Sequence, residues 1–107
     1  MRAVVFENYE RFPSLTDVPV PEPGPGEVLL RVAGAGACHS DVSVYRHFKE
    51  GQTGAQKPPF VLGHENSGWV EALGDGVSER VRVGDAYMAY GPIGCGHCRM
   101  CVRGQDT

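Results

Sequence analysis

Three of the chain's four cysteines fall in one run, Cys95-Gly-His-Cys98-Arg-Met-Cys101. Thiolates are soft donors, and adjacent turns of a single loop can aim several of them at one point, as tetrahedral zinc or an iron–sulfur cluster requires. Three uncomplexed thiols at regular spacing would instead be a standing oxidation hazard. Between the metals, bacterial ferredoxin spacing would put the next cysteine at position 105, which is Gln105. A structural zinc site with a later fourth cysteine stays open. The sequence ends at Asp106-Thr107, so the motif is expected to be cut off midway and the chain to be a piece of a longer protein. His97 is set aside as a ligand because it sits between two cysteines, in a part of the loop that Cys98 already needs.

A second group is Cys38-His39-Ser40-Asp41 together with Gly63-His64-Glu65. Cys38 and His64 are 26 positions apart, and such spacing favours the plainer interpretation: a buried cysteine, a helix cap at Ser40 or Asp41 and an ordinary turn histidine. Two glycine pairs imitate phosphate loops. Gly34-Ala-Gly36 is followed by His39 where a dinucleotide fingerprint needs its third glycine, and Gly74-Asp-Gly76 by Glu79. Neither opens a βαβ unit, so no nicotinamide-binding domain is expected within these residues.

The elements that must position these groups are mostly short strands. Ala3 to Phe6, Leu15 to Val20, Gly68 to Leu73 and Asp85 to Ala89 read as β, as does Val28 to Val32, where Val28, Leu30 and Val32 share a face at period two. Pro19 to Gly26 carries four prolines and can only be an extended approach that ends in a turn, after which a strand begins at Glu27. Gly74-Asp-Gly76 and Gly91-Pro92 bound the later strands. Ser40 to Phe48 is the one helical stretch, and Lys49 to Lys57, with Gly51 and Gly54, is the expected flexible loop. Many short strands with Gly-rich turns predict a mainly β domain, a barrel or sandwich that shields its own edges.

The 107 residues suffice for one domain, and 41% apolar content allows a modest core. A net charge of −3 leaves no basic stripe for nucleic acid or an anionic membrane surface. The start, Met1-Arg-Ala-Val-Val-Phe-Glu7-Asn8, turns polar too early for a signal peptide, and no apolar run approaches the roughly 18 residues of a membrane span. A cytoplasmic protein with a small-molecule or protein partner is expected, and in a reducing compartment clustered cysteines read as metal ligands.

In order and wording, the motifs resemble the N-terminal, GroES-like catalytic domain of the zinc-dependent medium-chain alcohol dehydrogenases. The resemblance rests on Gly26-Glu-Val-Leu-Leu-Arg-Val32, Gly36-Ala-Cys38-His-Ser-Asp41, Gly63-His-Glu65-Asn-Ser-Gly68-Trp-Val70, Gly74-Asp-Gly76-Val77, Val83-Gly-Asp85 and the closing cysteine run. It implies a partly open β-barrel with a short helix and a zinc-binding loop, spanning residues 1–107, truncated within that loop and lacking its Rossmann cofactor domain.

The resemblance further implies that Cys38 and His64 ligate a catalytic zinc, with Glu65 as an exchanging or neighbouring ligand and Asp41 orienting His64. Ser40 would take the proton of the alcohol, and His39 would hold the cofactor pyrophosphate or relay that proton. Tyr45 and Tyr90 match substrate-pocket positions, with simple core aromatics an equal alternative. Cys95, Cys98 and Cys101 would hold a structural zinc whose fourth ligand lies two residues past Thr107. The implied activity is the interconversion of an alcohol with its aldehyde or ketone, zinc acting as a Lewis acid and NAD or NADP, bound by a further domain, accepting hydride. The full-length enzyme would be a homo-oligomer. A polyol or formaldehyde dehydrogenase of the same superfamily is one alternative, and a stand-alone zinc-binding interaction module is another. One departure stands out: the family's outer relay histidine falls here on Ser43.

Overall fold

The computed structural model describes residues 1–52, 57–91 and 94–105. Among these residues, six strands and two helices follow in the order β1 (Arg2–Phe6), β2 (Ser14–Asp17), β3 (Val28–Gly36), α1 (His39–His47), β4 (Phe60–Val61), β5 (Glu65–Leu73), β6 (Ala86–Met88) and α2 (Arg99–Val102). They form two open, antiparallel, three-stranded sheets ordered β2-β1-β4 and β3-β5-β6. The architecture is therefore mainly β, as the turn-rich pattern predicts, and its two open sheets agree with the partly open barrel that the family resemblance implies. No helix among the described residues is long and apolar enough to cross a membrane.

Several boundaries differ from expectation for local physical reasons. β2 stops at Asp17 instead of running to Val20, because Pro19 and Pro21 have no N–H to offer a ladder. Gly26, at φ 75°, makes the turn before β3, and the Glu27 side chain closes it by accepting from the Gly24 N–H at 2.9 Å. β3 continues to Gly36, four residues beyond the expected end, because pairing with β5 carries the Ala- and Gly-rich tail along. β5 correspondingly starts at Glu65. The two-residue β4 and the four-residue α2 lack any periodic signal and escape sequence reasoning. Of the expected loop at Lys49 to Lys57, residues 49–52 and 57 lie outside any strand or helix, and residues 53–56 are outside the described residues.

The β3–β5 ladder is irregular at two places, between Leu29 and Leu30 and between Val32 and Gly34. At the first, Glu71 is the extra residue on β5, and at the second Ala33 is the extra residue on β3. The expected alternation of Val28, Leu30 and Val32 is accordingly not seen in burial. Leu29 and Leu30 are both half-buried, whereas Val28 and Val32 are exposed.

Among the described residues only Val5, Phe6 and Val70 form a buried hydrophobic core, with Phe6 and Val70 fully buried. Phe6 anchors it, with its ring 5.4 Å from Phe60 and 6.2 Å, edge-on, from Tyr9. A cavity of about 600 Å³ lies between the sheets, lined mainly by apolar side chains that include Val4, Leu15, Leu30 and Val61.

Candidate metal centre

Helix α1 begins where β3 ends, and Cys38 is its N-cap residue, with extended backbone at φ −97° and ψ 155°. Asp41, at the third helical position, closes this end by accepting the Cys38 N–H at 2.9 Å through Oδ2. This is the reaching-back half of a capping box. The other carboxylate oxygen, Oδ1, lies 3.5 Å from His64 Nδ1. Of the two expected cap candidates, then, Asp41 caps and Ser40 does not. One carboxylate thus fastens both the backbone that carries Cys38 and the ring of His64.

His64 reaches this position through strand pairing. Gly36 on β3 is the register partner of Glu65 on β5, so Cys38, two residues past one, meets His64, one residue before the other. With Nδ1 directed at Asp41, His64 presents Nε2 to Ser40, whose Oγ is 3.3 Å away. A donor atom from each of Cys38, His64 and Glu65 lies within 4.8 Å of the other two. One sulfur, one imidazole nitrogen and one carboxylate oxygen make a mixed donor set that suits zinc. A carboxylate behind the imidazole is the usual second contact of a metal-bound histidine. Cys38 is half-buried, while His64 and Glu65 are exposed, so the cluster opens outward.

The remaining expected residues are distributed around it. His39 is exposed on the first turn of α1, and its carbonyl accepts the Ser43 hydroxyl at 3.3 Å. Tyr45 lies half-buried beside a cavity of about 300 Å³ shared with Asp41, Gly36 and Ala37. Its ring stacks 4.9 Å from Phe12, with the Arg46 guanidinium 5.8 Å from its centroid. Tyr90 is exposed and borders neither described cavity. Gly91, which spacing gave no reason to single out, packs against the His64 ring; a Cβ there would come 3.2 Å from Cδ2.

The second cluster is built by the loop alone. Cys101 Sγ lies 3.7 Å from Cys95 Sγ and 3.5 Å from Cys98 Sγ. A tetrahedron of thiolates around zinc, with Zn–S of about 2.3 Å, has edges of about 3.8 Å, so the sulfur spacing fits zinc. The Cys98 N–H donates to Cys95 Sγ at 3.3 Å, and the Cys101 N–H to Cys98 Sγ at 3.5 Å. Hydrogen bonds from the His97 and Cys98 backbone bring the Cys95 thiol down to about 7, and the Cys101 N–H lowers that of Cys98. His97 turns its ring away, Nδ1 lying 2.7 Å from the Cys95 carbonyl.

Comparison with known proteins places this geometry in context. The alcohol dehydrogenase GroES-like domain family matches residues 24–107. The chain belongs to that family. It is 35% identical, over its whole length, to an alcohol dehydrogenase of Moraxella sp. (strain TAE123), of which it covers 31%. It is 43% identical, over 85% of its length, to an L-threonine 3-dehydrogenase of Pyrococcus horikoshii, of which it covers 26%. A cobalt- and zinc-bound thermostable alcohol dehydrogenase from Pyrobaculum aerophilum superposes with a TM-score of 0.81 at 37% identity, over 99% of this chain and 31% of that one. The chain therefore spans about a third or less of the length of these relatives.

Proposed function

We propose that residues 1–107 form the catalytic domain of a zinc-dependent, NAD- or NADP-linked dehydrogenase that interconverts alcohols with aldehydes or ketones, the cofactor being held by a domain outside this chain. The observation that carries the reading is the convergence of Cys38, His64 and Glu65, with Asp41 fixing the first two. Family membership supports it, since the relatives named above are alcohol and threonine dehydrogenases.

In this reading Cys38 and His64 hold the metal and Glu65 is a neighbouring or exchanging donor. Zinc, when bound, supplies Lewis-acid polarisation of the substrate oxygen. Ser40, whose hydroxyl neighbours the metal-facing His64 nitrogen, accepts the proton that leaves the alcohol. His39, exposed next to it, passes that proton outward or contacts the cofactor phosphates. The cavity beside Tyr45 receives the substrate's carbon chain. Cys95, Cys98 and Cys101 hold a second, structural zinc, completed by a ligand beyond the 107 residues.

The test is Cys38→Ser in the full-length protein, scored by zinc per chain and by alcohol-dependent reduction of NAD or NADP. The expected result is loss of one of two zincs and a fall in turnover of more than about 100-fold, beyond what loss of an outer partner typically produces. Retention of both zincs with undiminished turnover would exclude Cys38 as a ligand, and absence of alcohol-dependent reduction in the unmodified full-length protein would exclude the proposed activity.

A further inference from the structure

Glycine in a strand interior or at a strand end calls for a reason, and Gly36 does not owe its identity to backbone conformation. Its φ lies outside the left-handed region that seven other glycines among the described residues occupy. Nor does it lie at a tight turn, since it is the last residue of β3 and pairs with Glu65 across the ladder. The reason lies in what fills the space beside it. A Cβ built on Gly36 would overlap Glu65 Oε2, and would lie 2.9 Å from Glu65 Cβ and 3.3 Å from Cδ. Directly paired residues normally keep their Cβ atoms about 4.5–5.5 Å apart, so the Glu65 side chain here folds across its partner instead of standing clear of it. That fold carries the carboxylate toward Cys38 and His64.

We propose that Gly36 is a positioning residue of the metal centre: its missing side chain is the slot in which the Glu65 carboxylate lies, and the slot lets Glu65 join the donor set of Cys38 and His64. The inference rests on the proposed zinc site and goes beyond it by assigning Gly36 a role in metal coordination. A methyl group at position 36 cannot be absorbed by rotating Glu65 alone. The carboxylate can swing aside, but the contact to Glu65 Cβ requires the two strand ends to part. Either response takes the carboxylate out of the cluster.

The experiment is a cycle of Gly36→Ala, Glu65→Gly and the double variant in the full-length protein. It is read by zinc affinity in a chelator competition and by the visible spectrum after cobalt substitution, which reports coordination number without turnover. Gly36→Ala is expected to weaken metal at this site by about 10- to 100-fold, the range that outer positioning partners typically control. Its cobalt spectrum should match that of Glu65→Gly, while the metal of the three-cysteine loop is retained. In the Glu65→Gly background, Gly36→Ala should then have no further effect, because all three conflicting atoms are gone. Wild-type affinity and spectrum in Gly36→Ala would overturn the assignment, as would an equal effect of Gly36→Ala with and without Glu65. A protein in which Cys38→Ser changes neither zinc content nor the cobalt spectrum would instead overturn the underlying metal site, and the two failures are distinct.

Discussion

Cys95 accepts two backbone N–H bonds at the surface of its loop, and the bonds favour its thiolate before any metal arrives. The sign follows from the direction of the shift. The contribution of these bonds to the folded, metal-free loop is fully present above the ordinary thiol range and is lost as pH falls through about 7. Alkylation of the metal-free protein, followed at each cysteine by mass spectrometry, should therefore reach half its limiting rate at Cys95 near pH 7, and zinc should suppress it. A midpoint in the ordinary thiol range would mean that the loop does not hold the N–H groups on the sulfur. At this scale the sequence was unevenly informative. Three thiols within seven residues can meet through local turns, so their spacing carries the signal. Cys38 and His64 meet only because β3 pairs with β5 in one register, which spacing does not encode; there the motif resemblance supplied what the residues alone left open.

Strand β5 does the most to assemble the molecule, since it pairs with both β3 and β6 and begins at Glu65, in the candidate donor cluster. It lies close against β3 at Gly68, where a Cβ would strike the Arg31 carbonyl and the Val32 Cα. The extra residue Ala33 bends β3 over this point, and a buried glycine accepts the approach. Gly68→Ala should destabilise the full-length protein by about 1–3 kcal/mol or more, because the obstruction is backbone and cannot rotate away. A urea midpoint unchanged from wild type would show that the strands separate there without cost. The strands with strong β-formers, β1 and the centre of β5, were readable in advance. The Gly- and Ala-rich end of β3 was not, as its strand character comes from its partner.

The whole molecule presents 8361 Å² of surface, against about 5,800 Å² for a compact monomer of its mass. Its radius of gyration is 15.5 Å, where about 13 Å is usual for this length. The apolar content that promised a modest core is present, yet much of it faces outward, with Leu15 65%, Val61 49% and Met88 80% exposed. The 107-residue polypeptide by itself should bind an apolar-surface dye such as anilinonaphthalene sulfonate strongly in native buffer. Fluorescence no greater than that of a compact protein of equal size would mean that these faces are covered. The mainly β class was legible because short strands alternate with turns, and the motif resemblance supplied the partly open barrel; the extent of apolar exposure was not legible, because composition does not say which apolar side chains find partners. The two ladder irregularities acquire a further meaning on this scale. A slide of β3 along β5 by two residues keeps every side chain on its own face, so apolar patterning alone does not forbid it. It would carry Cys38 about 7 Å from His64. Bulges at Glu71 and Ala33 fit only one alignment, and they act as detents that stop the slide with the two halves of the donor set together.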